Sequence, residues 1–210
     1  MKTSLLLAAA LAACAAPAAA ASLSGGFKTG LNISTFVGDD VAEGDAKVSR
    51  AGLIAGGYLI FPVARAPFKI QAEALISSKG AVYKWAVLGS AYETRYKLTY
   101  LEIPVLARFD FESRTGARPA FLIGPSFGIK LGAKGESRTI GASSSGDLEN
   151  IRGLDPGIAI GGVLDMETSK GFITLEGRYT RSLTTIHDGG GGASADIKNS
   201  VASVMVGYRF

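Results

Sequence analysis

Ser200-Val201-Ala202-Ser203-Val204-Met205-Val206-Gly207-Tyr208-Arg209-Phe210 closes the chain, and Ser200, Ala202, Val204, Val206, Tyr208 and Phe210 fall on one side of it. A spacing of two is the period of a β-strand, so the segment reads as a strand with an apolar, aromatic-tipped face and Arg209 on the other side. The same period recurs upstream. It gives eight candidate strands, at 25–36, 48–61, 68–80, 94–111, 119–132, 154–166, 172–182 and 196–210. Most exceed the roughly 5 or 6 residues of an ordinary soluble strand and reach the roughly 9 to 11 that cross a bilayer at a tilt.

The connections alternate in size. Short ones run from Pro62 to Pro67, Glu112 to Arg118 and Glu167 to Gly171, and longer ones from Val37 to Lys47, Gly80 to Glu93, Ala133 to Gly153 and Leu183 to Ala195. Tight turns at one end and long loops at the other are the pattern of a transmembrane barrel with both termini on the short-turn, periplasmic side. The faces agree with it. In the fifth strand Phe121, Ile123, Phe127, Ile129 and Leu131 oppose Ala120, Leu122, Gly124, Ser126, Gly128 and Lys130. In the third, Phe68, Ile70, Ala72, Ala74 and Ile76 oppose Lys69, Gln71, Glu73, Leu75, Ser77 and Lys79.

Periodicity alone allows the apolar face to point inward, as in a soluble barrel, or outward to lipid. The N-terminus argues for lipid. Lys2 supplies a positive n-region, Leu5 to Leu11 an apolar h-region and Ala18-Ala19-Ala20 a small-residue cleavage site, so residues 1–21 read as a signal peptide and 22–210 as the folded domain. That apolar stretch falls short of the roughly 20 residues of a spanning helix and meets Pro17. Leu11-Ala12-Ala13-Cys14 also fits a lipoprotein-type site, so Cys14 is either discarded with the peptide or lipid-modified. Cleavage after Ala20 or Ala21 leaves about 190 residues, one domain, with no cysteine for a disulfide or thiol chemistry.

The chain carries 22 basic and 18 acidic side chains, net +4, with no basic run, which argues against a nucleic-acid partner. Twenty-eight glycines and recurring turn clusters, with no helical leucine periodicity, fit an all-β chain.

Hydrocarbon offers no water to a free N–H or C=O, so such a sheet has to close, the eighth strand on the first. Eight strands enclose a lumen just wide enough to be filled by side chains. The inward set is expected to hold Lys28, Asn32, Gln71, Glu73, Lys79, Glu102, Arg108, Asp110, Lys130, Asp155, Asp165, Glu176, Arg178 and Arg209. Buried charges must be paired. Glu73, Glu102 and Glu176 are therefore expected to partner Arg108, Arg178 and Lys130 in a structural cross-barrel network. A plug of this kind resists ions; the alternative is a narrow charged pore.

Tyr100, Phe109, Phe111, Phe172, Tyr179, Tyr208 and Phe210 fall near strand ends, as girdle aromatics do. Pro104 lacks an N–H and is expected to mark a bulge where the alternation of the fourth strand changes phase. Gly52-Leu53-Ile54-Ala55-Gly56-Gly57 lies inside a strand, where glycines allow close packing or curvature.

The run Tyr100-Leu101-Glu102-Ile103-Pro104-Val105-Leu106, preceded by Glu73 and by Ser78-Lys79-Gly80, resembles the outer-membrane β-barrel domain family also labelled porin family or PorT family. Gly30-Leu31-Asn32, Gly124-Pro125, Glu176-Gly177-Arg178-Tyr179 and Ser182-Leu183 extend the likeness over nearly the whole mature chain. The resemblance implies an eight-stranded barrel in the outer membrane of a Gram-negative cell and no shared biochemical role. Val206, Tyr208 and Phe210 are similar to the C-terminal signal by which such barrels reach the insertion machinery.

Some small outer-membrane barrels are lipid-modifying enzymes that use Ser, His and an acid. Here His187, Asp188 and Ser182 lie close in sequence in the last long loop, with no spacing that fixes a geometry, and no catalytic residue is assigned. Gly38-Asp39-Asp40 and Asp45 form a hydrated acidic loop, so no metal or cofactor is expected, and Gly189 to Gly192 read as a flexible run. The expected protein is a monomeric, non-enzymatic outer-membrane barrel. Its expected partners are outer-membrane lipids, the insertion machinery and an unidentified extracellular partner of the long loops, with a narrow transport channel as the alternative.

Overall fold

The computed structural model describes residues 23–39, 47–87, 90–113, 116–139, 142–148, 151–186 and 196–210, so the expected signal peptide and Cys14 lie outside the described residues. Nine strands follow in chain order: β1 Ser24–Val37, β2 Lys47–Pro62, β3 Lys69–Val87, β4 Ser90–Asp110, β5 Ala117–Thr139, β6 Ala142–Asp147, β7 Leu154–Thr168, β8 Gly171–Ser182 and β9 Lys198–Arg209. Every pairing is antiparallel. The order β1-β2-β3-β4-β5-β7-β8-β9 returns to β1, with β6 a short addition to the far end of β5. The molecule is thus a closed eight-stranded antiparallel barrel. Its seam pairs Gly26 with Arg209 through Val37 with Lys198. Beyond the ladder, the Phe210 N–H donates to the Gly25 carbonyl at 2.9 Å.

The wall sorts side chains as lipid requires. Leu31, Leu53, Ile76, Ile123, Phe127, Ile158, Leu175 and Val204 are all exposed on the outside, whereas Lys28, Glu73, Lys79, Glu102, Asp155, Asp165, Glu176 and Arg178 are buried inside. The barrel buries these charges and shows its aliphatics, the inverse of a soluble protein.

Two connections differ from the expectation. The sequence predicts a loop over 80–93, yet β3 and β4 stay paired up to Val87 with Ser90. Residues 133–153 likewise hold the end of β5 and the β6 strand. Hydrophobic alternation marks only the lipid-facing length of a strand. Past it both faces can be polar, and the backbone ladder continues without a sequence signal.

The phase change is also not at Pro104. Along β4 the even-numbered residues Leu98, Tyr100, Glu102, Leu106 and Arg108 all point inward without interruption. The slip lies beside Thr99 and Tyr100, where β5 carries the extra residue: Thr99 pairs with Gly132 and Tyr100 with Lys130. Leu131 is exposed and Ala133 buried, so the inward parity of β5 switches there. Pro104 pairs with Ser126 on the β5 side, while the ladder to β3 skips Ile103 and Pro104 and resumes in the same register, as a residue without an N–H requires.

Glycine is required where a neighbouring strand's backbone comes close on the inner face. A Cβ on Gly56 would lie 2.0 Å from the Ala74 carbonyl oxygen, whereas one on the neighbouring, outward Gly57 would meet its nearest atom at 3.5 Å. Gly80 combines a φ of +143° with a Cβ position 1.9 Å from the Tyr96 carbonyl. Gly56→Ala is therefore expected to cost about 1 to 3 kcal/mol through overpacking against backbone. Its folded form should lose heat-resistant compact migration on an unheated gel at lower temperature than the parent, and Gly57→Ala should not.

Candidate functional site

Alternation along each strand sends every second residue into a lumen only a few side chains wide, so charges from distant parts of the chain must meet. They meet in three groups. In the central one, Lys28 Nζ donates to Glu73 Oε1 at 2.9 Å and to Glu176 Oε2 at 2.7 Å. Arg178 forks onto both oxygens of Glu73 at 2.9 and 2.7 Å and touches Glu176, while Gln71 Nε2 donates to Glu73 at 2.6 Å. Two cations face two carboxylates, and all four side chains are at most 4 % exposed.

Toward the loops, Lys79 lies 2.6 Å from Glu102 and 3.7 Å from Asp155, and its ammonium stands 5.2 Å from the centre of the Tyr100 ring. Asn199 donates to Asp155 at 2.8 Å. Toward the termini, Arg108 and Arg209 share Asp165 Oδ2 at 2.6 and 2.7 Å, and Arg108 also reaches Asp110 at 2.6 Å. Gln71 joins this group to the central one by accepting from Arg108 at 3.1 Å.

Apolar side chains fill the space between. Phe36, Ala81, Leu98, Tyr100, Ala133 and Ile186 form a cluster at the loop end, with Tyr83 and Tyr96 packed on it. Leu106, Leu122, Ala159 and Val163 with Ala120 form another, and Ile54, Leu75 and Met205 a third. Tyr100 is fully buried, so it is not a girdle residue; the wall rotates it inward with the even-numbered face of β4. Other expected girdle aromatics do stand outside near the termini: Phe109 contacts Phe68 and Phe121 at centroid distances of 5.8 and 6.3 Å, and Tyr208 contacts Phe27 at 6.3 Å. A mouth of about 570 Å³ opens at the terminal end, lined by Lys69, Asp110, Arg118, Asp165 and Arg209.

A family model described as the outer membrane protein beta-barrel domain matches residues 17–188. The chain belongs to that family. Its place is accordingly the outer membrane. Among solved structures, this family member is similar to the attachment invasion locus protein Ail of Yersinia pestis, determined in complex with the heparin analogue sucrose octasulfate. The identity is 13 %, with 90 % of this chain and 100 % of Ail covered and a TM-score of 0.42. It is also similar to Neisserial surface protein A at 12 % identity, covering 89 % of this chain and 97 % of that one, with a TM-score of 0.47. No curated protein matches the sequence.

The barrel brings Glu73 and Glu176 onto Arg178, and it differs from expectation in three pairings. Arg108 takes Asp165 and Asp110 instead of a glutamate, and Glu102 takes Lys79. Lys130 leaves the network, its ammonium donating to the Ile151 carbonyl at 2.5 Å. Lys28, placed inward but given no partner from sequence, is a hub. Parity tells which charges enter the lumen; which of them meet depends on strand stagger and rotamer, and neither has a sequence signal.

Ser182 is buried on the inner face, and His187 and Asp188 lie outside the described residues, as do Asp40, Asp45 and Gly189 to Gly192. Among the described residues no three of His, Cys, Asp and Glu cluster as metal ligands.

Glu73 accepts from both central cations. Its removal in Glu73→Ala leaves two buried positive groups facing one carboxylate, a loss expected to cost about 3 to 5 kcal/mol. Urea unfolding of the refolded barrel in micelles measures it, and adding Lys28→Met should recover part of the loss.

Proposed function

We propose that the protein is a non-conducting, non-enzymatic structural barrel that displays its long hairpins at the cell surface, with both termini in the periplasm. The observation that carries this reading is the filled lumen. Three groups of paired charges alternate with fully buried Leu75, Leu98, Tyr100, Leu106, Leu122 and Met205 across the bore. An ion entering it must break buried pairs that nothing mobile replaces. The orientation is supported by the position of both chain ends at the end of the barrel where β2 leads to β3, β4 to β5 and β7 to β8 through short connections.

The surface role is supported by the extent of the loop-side hairpins, β3–β4 and β5–β6, which continue the wall past the lipid-facing belt. Partners on this reading are outer-membrane lipids, the insertion machinery, which reads Val206, Tyr208 and Phe210, and an extracellular molecule that meets the loops; the barrel itself acts as a monomer. Tyr208 and Phe210 suit that docking because both project from the outer face at the seam.

Protein reconstituted in planar bilayers should show no stable unitary conductance, and liposomes carrying it should retain small solutes. Steady openings would replace this reading with that of a narrow channel. Deleting Phe210 should lower assembly in cells several-fold while leaving refolding in micelles intact.

A further inference from the structure

Above the lipid belt, the outer wall of β2 to β5 changes chemistry within a few residues. On β4, Leu101 is the last belt residue, and Thr99, Lys97, Arg95 and Glu93 follow on the same outward face, since their neighbours Leu98 and Tyr100 are fully buried. Lys97 stands directly opposite Lys134, Arg95 opposite Glu136, and Glu93 opposite Arg138, with Lys84 on its other side. Arg50 reaches over β3, donating to Ser78 Oγ at 3.1 Å and the Lys79 carbonyl at 2.8 Å. Six cations thus share this ridge with Glu93, Glu136 and Asp147.

The carboxylates are largely committed. Glu93 takes Arg95 and Lys84, the latter at 3.6 Å, and Glu136 takes Lys97 at 2.5 Å. Hydrogen bonds from Arg95 and Lys97 hold the Glu93 and Glu136 carboxyls below their ordinary range, so both are anionic at neutral pH. Among the described residues, Lys134 stands across the β5–β6 ladder from Asp147 and Arg138 across the β4–β5 ladder from Glu93, neither with a carboxylate within 4.0 Å, and Arg50 donates to neutral acceptors in the field of Glu136.

Lys97 and Lys134 repel across their ladder; Glu136 on Lys97 and Asp147 opposite Lys134 offset part of this, and six cations to three carboxylates leave the ridge net positive and open to a further anion. Cβ atoms of such opposed residues lie about 4.5 to 5.5 Å apart, a gap one phosphate can bridge. Position selects the phosphate's carrier. Lys97 lies four residues past Leu101, a rise on the order of 10 Å along a tilted strand, which is the depth of lipid headgroups. The ridge lies on the outward side of the wall, the side that faces that layer.

We infer that Lys97, Lys134, Arg138 and Arg50 form a lateral site for the phosphorylated sugar headgroup of an outer-leaflet glycolipid. The site anchors the β2–β5 wall to the leaflet that surrounds it. The assignment to the outer leaflet rests on the orientation proposed above; the affinity for phosphorylated headgroup does not.

The test uses the folded full-length barrel in micelles and native mass spectrometry to count retained lipid. Bisphosphorylated lipid A should bind at least tenfold more tightly than its dephosphorylated counterpart. The double variant Lys97→Gln/Lys134→Gln should lose on the order of tenfold of that affinity while keeping heat-modifiable migration, and Arg118→Gln, at the terminal end, should lose none. Equal binding of the two lipids, or an unaffected double variant, would overturn the site. Displacement of the lipid by equimolar inorganic phosphate would reassign it to a free anion, and tighter binding of dextran sulfate to a soluble polyanion, each overturning the lipid assignment. Labelling of Ser144→Cys on intact cells by an impermeant thiol reagent supports the outer-leaflet placement. Labelling only after the cells are opened overturns the orientation, an outcome separate from any loss of phosphate selectivity in micelles.

Discussion

Every backbone N–H and C=O in the hydrocarbon layer must find its partner within the protein, and for strands this means a sheet without edges. The pairing of β1 with β9 along twelve residues meets that demand. Closure then dictates much else. It fixes one face toward lipid and one toward a narrow bore, it brings residues as far apart as Lys28 and Glu176 into contact, and it sets the first and last residues of the sheet side by side.

The bore is where that constraint becomes expensive and specific. Charges sequestered from water are tolerable only as pairs, and the central group meets the condition with two cations and two carboxylates linked by five hydrogen bonds among Lys28, Glu73, Glu176, Arg178 and Gln71. A soluble core would hold aliphatic side chains in their place; here the apolar capacity of the chain is turned outward to the lipid. What remains for the inside is polar residues, small residues and a few large apolar ones. The outer wall carries a second electrostatic theme of opposite logic. Above the belt, cations outnumber carboxylates and Lys97 stands opposite Lys134, a surplus that favours external negative charge.

The two themes divide the molecule's work. The bore supplies rigidity from within, since each of its pairs ties strands that are remote in the ring. The ridge couples one arc of the wall to its surroundings from without. Membership in the outer membrane β-barrel domain family sets the place in which both operate.

Strand count, the lipid-facing side and most of the charges on the inner face were legible in the sequence because all three follow from a period of two, which survives without tertiary information; Asp110, expected inward, is exposed at the rim. Phe121, Ile123 and Phe127 against Ser126 and Gly128 are enough to read a two-faced wall. The partners within the bore were not legible. Arg108 meeting Asp165, Lys79 meeting Glu102 and Lys28 serving two glutamates depend on stagger around the ring and on rotamers. Nor was the slip at Leu131, which a reader of composition assigns to Pro104, or the hairpin length beyond the belt, where hydrophobic contrast ends while hydrogen bonding continues. Local alternation determined which way each side chain faces; only the closed ring decided which of them touch, because contact across a barrel is a property of its geometry and not of any one strand.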